Sequence, residues 1–176
     1  MAAAERDVRY TAGLMASPLD TFELLAELSL ALGGFSGVAA SFGGRDRTYR
    51  PIEIARLAAV FSFAGMSLVG ALLVISLTHA GIAASDTYAA ASLTSFLMVL
   101  WFLATQVPPT LRLYSAGEST TSGRYVVFSS GYFISLVLLF LWSALYEREA
   151  WPLIVGISSQ LVFGLWIFSR LLLRAN

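Results

Sequence analysis

The sequence predicts an all-α protein whose helices form a polytopic transmembrane bundle. Of its 176 residues, 57% are hydrophobic and only 12% are charged, against a typical charged share of roughly 25%. The mean hydropathy is +0.75. Charge-free runs of about 20 residues, long enough for a hydrocarbon layer of roughly 30 Å, recur along the chain. A water-soluble domain of this size has too little interior for so much apolar surface, so we expect the lipid bilayer to be its immediate partner.

Five helices in a single domain (1–176) are predicted, at about 18–42, 52–79, 87–107, 125–146 and 151–173. The first begins at Ser17-Pro18-Leu19-Asp20, a capping box with aspartate in the usual glutamate position. Gly43-Gly44 ends it. Because acidic residues lie near its start, an alternative of four spans with an interfacial or re-entrant first helix stays open.

The boundaries of the next helices follow from prolines. Pro51 and Glu53 occupy the first turn of the second helix, and Pro108-Pro109 is predicted to stop the third. The segment from Pro108 to Arg124 is the only long connection, and its second half is rich in Ser, Thr and Gly. We expect it to be a loop.

The arginines lie unevenly on the two sides of this topology. With five spans, one side receives eight of them: Arg45, Arg47, Arg50, Arg56, Arg112, Arg124, Arg170 and Arg174. The other side receives Arg6, Arg9 and Arg148. The positive-inside rule then predicts a multi-pass protein of the cell inner membrane with its N-terminus outside and its C-terminus in the cytoplasm. The acids show the opposite bias, which gives formal charges of −5 outside and +5 inside.

The first helix combines acidic and small residues. Glu23 and Glu27 lie one turn apart, and the same face continues through Leu30, Gly34, Gly37, Val38 and Ser41. The small-xxx-small spacing of Gly33, Gly37 and Ser41 permits close helix packing. One interpretation is an acidic mouth, to which Asp86 adds, leading to a helix-lined path. The alternative is that the acids lie in the headgroup layer while the glycines pack against a neighbour.

The candidate catalytic residues do not come together. Ser36 lies in Gly34-Phe35-Ser36-Gly37, a string that rhomboid-type proteases place around their nucleophile. The only histidine, His79, is predicted about 20 Å away along the bilayer normal at 1.5 Å per residue, whereas a base must lie within roughly 3 Å. We therefore expect no enzyme. His79 and Asp86 bracket a short outer loop, which suggests either pH sensing or simple capping.

Other classes of function are excluded by composition or by missing motifs. Without cysteine or lysine, the chain has no Cys-ligated metal site and no Schiff-base chemistry. It also has no Walker loop, no HExxH motif and no basic aromatic patch for nucleic acid. No cofactor or metal is expected. Gln160, the most polar residue of the fifth helix, is predicted to hydrogen-bond a neighbouring helix.

Ala26-Glu27-Leu28, Gly33-Gly34-Phe35-Ser36-Gly37-Val38, an arginine at 45 and Phe168-Ser169-Arg170-Leu171-Leu172 resemble a group of small uncharacterised bacterial multi-pass inner-membrane proteins. The resemblance implies a helical membrane protein and no established activity, and it assigns no site residue.

Two functions are compatible with these observations. One is a homo-oligomeric, cation-attracting channel or transport component whose first helices line the path. The other is a non-transporting accessory subunit or scaffold of a larger membrane complex. A membrane-bound sensor is a third class, but a sensor of this kind needs a soluble ligand domain, for which the sequence gives no sign.

Overall fold

Five α-helices make up the part of the chain that the computed structural model describes, residues 17–43, 50–115 and 123–173. They are α1 (Pro18–Gly43), α2 (Pro51–His79), α3 (Ala84–Ser115), α4 (Gly123–Trp142) and α5 (Ala150–Leu173), with a π-helical turn (Ser143–Glu147) after α4. No strand occurs in these ranges. All five helices are long and apolar enough to span a membrane. The predicted all-helical bundle of five spans is therefore confirmed.

Both predicted helix starts are stabilised by side-chain hydrogen bonds, which the sequence predicted for α1. At α1, the Ser17 backbone N–H donates to Asp20 Oδ2 at 2.9 Å, and the Asp20 N–H donates to Ser17 Oγ at 3.1 Å. At α2, the Arg50 N–H donates to Glu53 Oε2 at 3.0 Å. Because each bond satisfies a backbone donor that would otherwise lack a partner, it fixes the first turn of its helix.

The predicted end of the third helix at residue 107 is wrong, because α3 continues through Pro108 and Pro109 to Ser115. Each proline removes one intrahelical hydrogen bond. Both prolines are exposed, and Val107 and Leu111 on either side of them line a cavity shared with α2 and α4. Neighbouring helices commonly make interior prolines tolerable in membrane proteins.

Each helix runs antiparallel to the one before it. In the contacts between consecutive helices, residue numbers rise along one helix as they fall along the next. The pairs are Gly33–Ala64 and Gly37–Phe61 for α1 and α2, Phe63–Phe102 and Gly70–Ser95 for α2 and α3, Ser92–Ser143 and Phe102–Phe133 for α3 and α4 with its π-turn, and Phe128–Trp166 and Phe140–Gly156 for α4 and α5. The bundle is therefore up-and-down, and Pro18 and Leu173 lie at opposite ends of it. The unbroken α1 aligned along α2 differs from the re-entrant alternative.

Charged residues separate between the two ends of the bundle. One end, called the acidic end below, carries Asp20, Glu23, Glu27, Asp86, Glu147, Glu149 and Arg148. The opposite end, called the arginine end, carries Arg50, Glu53, Arg56, Arg112 and Arg170. Several residues named in the sequence analysis lie outside the described residues: Arg6, Arg9, Gly44, Arg45, Arg47, Arg174 and residues 116–122 of the predicted loop, together with the side chain of Arg124.

Helix α5 lies at the centre of the packing, because it contacts all four other helices. The two glycines of α5 allow large side chains of neighbouring helices to approach its backbone closely. A Cβ placed on Gly156 would overlap the ring of Phe140, and one on Gly164 would lie 3.1 Å from Leu32 Cδ2. Phe140 is fully buried. The glycines of α5 therefore bring it into close contact with α4 and α1 in the core.

Candidate functional site

The face of α1 that runs from Glu23 and Glu27 to Ser41, called the acidic stripe, points away from the rest of the chain. All of its members except Gly37 are exposed: Glu23, Glu27, Leu30, Gly34, Val38 and Ser41. Leu30 is 61% exposed. A Cβ placed on Gly34 would meet no atom within 4 Å. We call this surface the α1 outer face, and within one copy of the described chain no other helix covers it.

The small residues of α1 divide between two faces. A Cβ on Gly33 would lie 3.8 Å from Ala64 Cβ, and one on Gly37 would lie 3.6 Å from the Phe61 ring. These two glycines face α2 at ordinary contact distance. Ser41 is exposed, and its hydroxyl donates to the Gly37 carbonyl at 2.9 Å. Of the predicted packing residues of α1, Gly34 and Ser41 therefore lie on the outer face.

Glu27 lies deep along the bundle. Gly33 of α1 lies beside Ala64 of α2. At 1.5 Å per residue, Glu27 lies about 9 Å from Gly33 toward the acidic end. Glu27 is therefore at the same height along the bundle as Gly70 of α2. The 29 residues of α2 form a helix about 44 Å long, which is about 14 Å longer than a hydrocarbon layer of roughly 30 Å is thick. With α2 centred, the Glu27 backbone lies about 7 Å inside that layer.

The loops at the acidic end contain an ion pair. Asp86, at the start of α3, lies 3.9 Å from an Arg148 guanidinium nitrogen, and both side chains are more than half exposed. Arg148 follows the π-turn in a left-handed conformation, with φ 46°, and its N–H donates to the Ser143 carbonyl at 3.0 Å. Asp86 therefore joins the α2–α3 connection to the α4–α5 connection.

His79 is exposed at the last turn of α2. Its Nδ1 lies 2.8 Å from the Ile75 carbonyl oxygen, a geometry in which a protonated Nδ1 donates to that oxygen. This contact is the capping arrangement that the sequence suggested as an alternative to pH sensing.

Ser36 is fully buried and bonds within its own helix. Its hydroxyl donates to the Leu32 carbonyl at 2.7 Å. His79 lies at the acidic end, whereas Ser36 lies in the half of α1 that leads to the arginine end. No cluster of three or more His, Asp or Glu residues able to hold a metal occurs in the described ranges.

Gln160 anchors a buried polar contact between α5 and α2. The Ser67 hydroxyl donates to Gln160 Oε1 at 3.2 Å, and Gln160 is 1% exposed. Ser95 Oγ and Gln160 Nε2 have no hydrogen-bond partner in the part of the chain that the structure describes. Ser67 and Ser95 were not predicted from the sequence, because a serine in a long apolar helix was their only signal.

An aromatic layer closes the middle of the subunit. It consists of Phe63, Phe102, Phe133 and Phe163, one from each of α2, α3, α4 and α5, with ring centroids 5.1 to 6.0 Å apart in the contacting pairs. Gln160 and Ser67 lie on the acidic side of this layer. Because the layer is tightly packed and apolar, the polar residues do not form a path through the described bundle.

The sequence and the structure were compared with known proteins. No family model, no curated protein and no solved structure matches the chain. The five apolar helices make the chain an integral membrane protein.

Proposed function

We propose that the protein is a homo-oligomer in which the α1 outer faces of neighbouring copies meet and line a cation-attracting path. The depth of Glu27 carries the proposal. A carboxylate exposed to hydrocarbon costs several kcal/mol, and such groups generally face water or protein instead. The α1 outer face is therefore poorly suited to lipid.

The small residues of the same face support an association of helices. Gly34 and Ser41 leave room for a second backbone to approach closely, which is how transmembrane helices commonly pack. The α1 outer face also exposes Leu30 and Val38, while the exposed faces of α3 and α5 carry large residues such as Leu97, Trp101, Val162 and Leu165. These residues suit contact with lipid.

A path between copies fits the closed interior of each copy. Because the aromatic layer fills the middle of the subunit, ions would pass along the α1 outer faces. Six carboxylates and one arginine at the acidic end attract cations over a Debye length of roughly 8 Å. Rings of carboxylates are a common selectivity device in cation channels.

The arginine distribution supports an orientation for this assembly. Applied to a bacterial inner membrane, the positive-inside rule places the arginine end in the cytoplasm and the acidic end outside. The acidic mouth would then receive cations from the outside.

Reversal potentials in reconstituted bilayers under a salt gradient test the proposal. We expect cation selectivity in the wild type and its loss in a Glu23→Gln/Glu27→Gln variant, which keeps side-chain size and removes two charges per copy. Glu147→Gln/Glu149→Gln is the matched control, because it removes the same charge from the acidic end away from α1. This control should keep most of the selectivity.

Three results contradict the proposal: a wild type without conductance, equal selectivity in all three proteins, or an equal loss in both variants. An accessory subunit is the second candidate, favoured by the open space at Gly34, which also fits a helix of a different protein. An accessory subunit should have the mass of a single copy in detergent and should show no conductance.

A further inference from the structure

A cavity of about 330 Å³ lies on the arginine side of the aromatic layer. Three helices supply most of its wall: α2, α3 around the two prolines, and α4. Phe63, Phe102, Phe133 and Phe163 form its inner boundary. The cavity is separate from the α1 outer face, because no residue of α1 lines it.

The wall of the cavity changes from apolar to polar along its length. Near the aromatic layer it is formed by rings and aliphatic side chains such as Leu103. Toward the arginine end it is bounded by Arg56, Gln106, Thr110, Ser129 and Ser130. These five polar side chains come from three helices, so the bundle brings them together only when it is folded.

Arg56 determines the charge that the cavity favours. It lies about one and a half turns into α2 and is the charged residue among the described residues that line the cavity. A guanidinium presents five N–H donors in a planar fork. It also binds carboxylates and phosphates in a bidentate manner.

We propose that this cavity binds an anionic single-chain amphiphile. The apolar chain lies against the aromatic layer, and the carboxylate or phosphate head group lies at Arg56 and the adjacent hydroxyls. The volume is at the lower end of the roughly 300–1,000 Å³ range of small-molecule sites, which suits one chain better than two. The ligand is either a free fatty acid or one chain of an anionic lipid, and the shared chemistry is an acyl chain with an anionic head.

Binding of radiolabelled dodecanoate to the full chain in phosphatidylcholine nanodiscs tests the proposal, with empty nanodiscs as the background. We expect saturable binding near one molecule per chain. Dodecanol, which has the same chain length without the charge, should bind at least tenfold more weakly. Competition by phosphatidylglycerol in the disc identifies a lipid as the natural source, and its failure to compete identifies a free fatty acid.

Two kinds of variant separate the head-group contact from the chain contact. Arg56→Gln should weaken dodecanoate binding at least tenfold and leave dodecanol unchanged. Arg112→Gln is the matched control, since this arginine lies at the same end outside the cavity, and it should bind as the wild type does. Ala59→Leu and Ala59→Phe extend a side chain into the cavity and should abolish the binding of both compounds, the smaller variant being included in case the larger does not fold.

The proposal is overturned if the wild type shows no saturable dodecanoate binding or binds dodecanol equally well. It is also overturned if Arg56→Gln and Arg112→Gln weaken binding to the same extent. Because the readout is binding at the arginine end, these outcomes do not depend on whether α1 lines a cation path.

Discussion

Helices α1 and α5 both carry glycines, but the two sets differ in how closely other helices pack against them. On α5, Gly156 and Gly164 lie against Phe140 and Leu32 so closely that an added Cβ would overlap or crowd them. On α1, Gly33 and Gly37 meet α2 at ordinary distances of 3.8 and 3.6 Å, and Gly34 meets nothing within 4 Å. The α5 glycines are therefore part of the subunit core, whereas the outward glycine of α1 is available to a second molecule.

The difference also separates stability from assembly. A change on the inner surface of α5 should unfold the subunit whatever its oligomeric state. A change on the α1 outer face should leave the subunit folded and affect only what it associates with. Substitutions of glycine at matched positions make the comparison quantitative.

The largest effect is expected for Gly156→Ala. The new methyl group overlaps the buried ring of Phe140, and overpacking of this kind costs about 1–3 kcal/mol or more. Thermal unfolding in detergent should show a clear fall in Tm. Gly131→Ala on α4 is the control, because nothing lies within 4 Å of its Cβ position, and it should be neutral or slightly stabilising.

Phe140→Leu in the Gly156→Ala background distinguishes this mechanism from a general intolerance of α5. If the overlap causes the loss, the double variant is more stable than the sum of the two single changes implies. Strict additivity would show that Gly156 and Phe140 do not clash.

A smaller effect is expected for Gly70→Ala on α2, where the added Cβ would lie 3.1 Å from Ile157 Cδ1 and 3.2 Å from Ser95 Oγ. Both neighbours can move by a few tenths of an ångström, so we expect a loss of about 1 kcal/mol. Gly65→Ala lies on the same helix with open space around it. Equal Tm values for the two variants would refute the close packing of α2 on α5.

The smallest effect on subunit stability is expected for Gly34→Leu. Its side chain extends into open space, so the Tm measured at low protein concentration should stay within the scatter of surface substitutions, about 0.5 kcal/mol. The mass of the detergent-solubilised protein should nevertheless fall, because a leucine separates the two backbones. A large loss of Tm would place Gly34 inside the subunit.

The sequence predicted the helices well because their signals are local. The capping box at Ser17 and the proline at 51 each act within one turn. The end of α3 could not be predicted in this way, because Pro108 and Pro109 locally predict a break, whereas α3 continues through both of them to Ser115. The π-turn before Arg148 had no recognisable local signal.

The candidate sites were predictable only in part. Helical spacing placed Glu23, Glu27, Gly34 and Ser41 on one face, and they share an exposed face in the structure. The same spacing assigned Gly37 to that stripe, but the tertiary packing turns it toward Phe61. The close contact at Gly156 and the cavity at Arg56 depend on which side chains other helices supply, and a single sequence does not contain that information.

Cysteine cross-linking tests the association of α1 helices most directly, because the chain contains no cysteine of its own. A single cysteine replaces Gly34 or Ser41 on the α1 outer face, and Leu138, 59% exposed on α4, serves as the control position. A disulfide requires Cα atoms within roughly 7 Å. We predict that mild oxidation in native membranes produces a cross-linked dimer from at least one of the two α1 cysteines and none from the cysteine at 138. No dimer from either α1 position, or equal yields at all three, would contradict the assembly of the protein through α1.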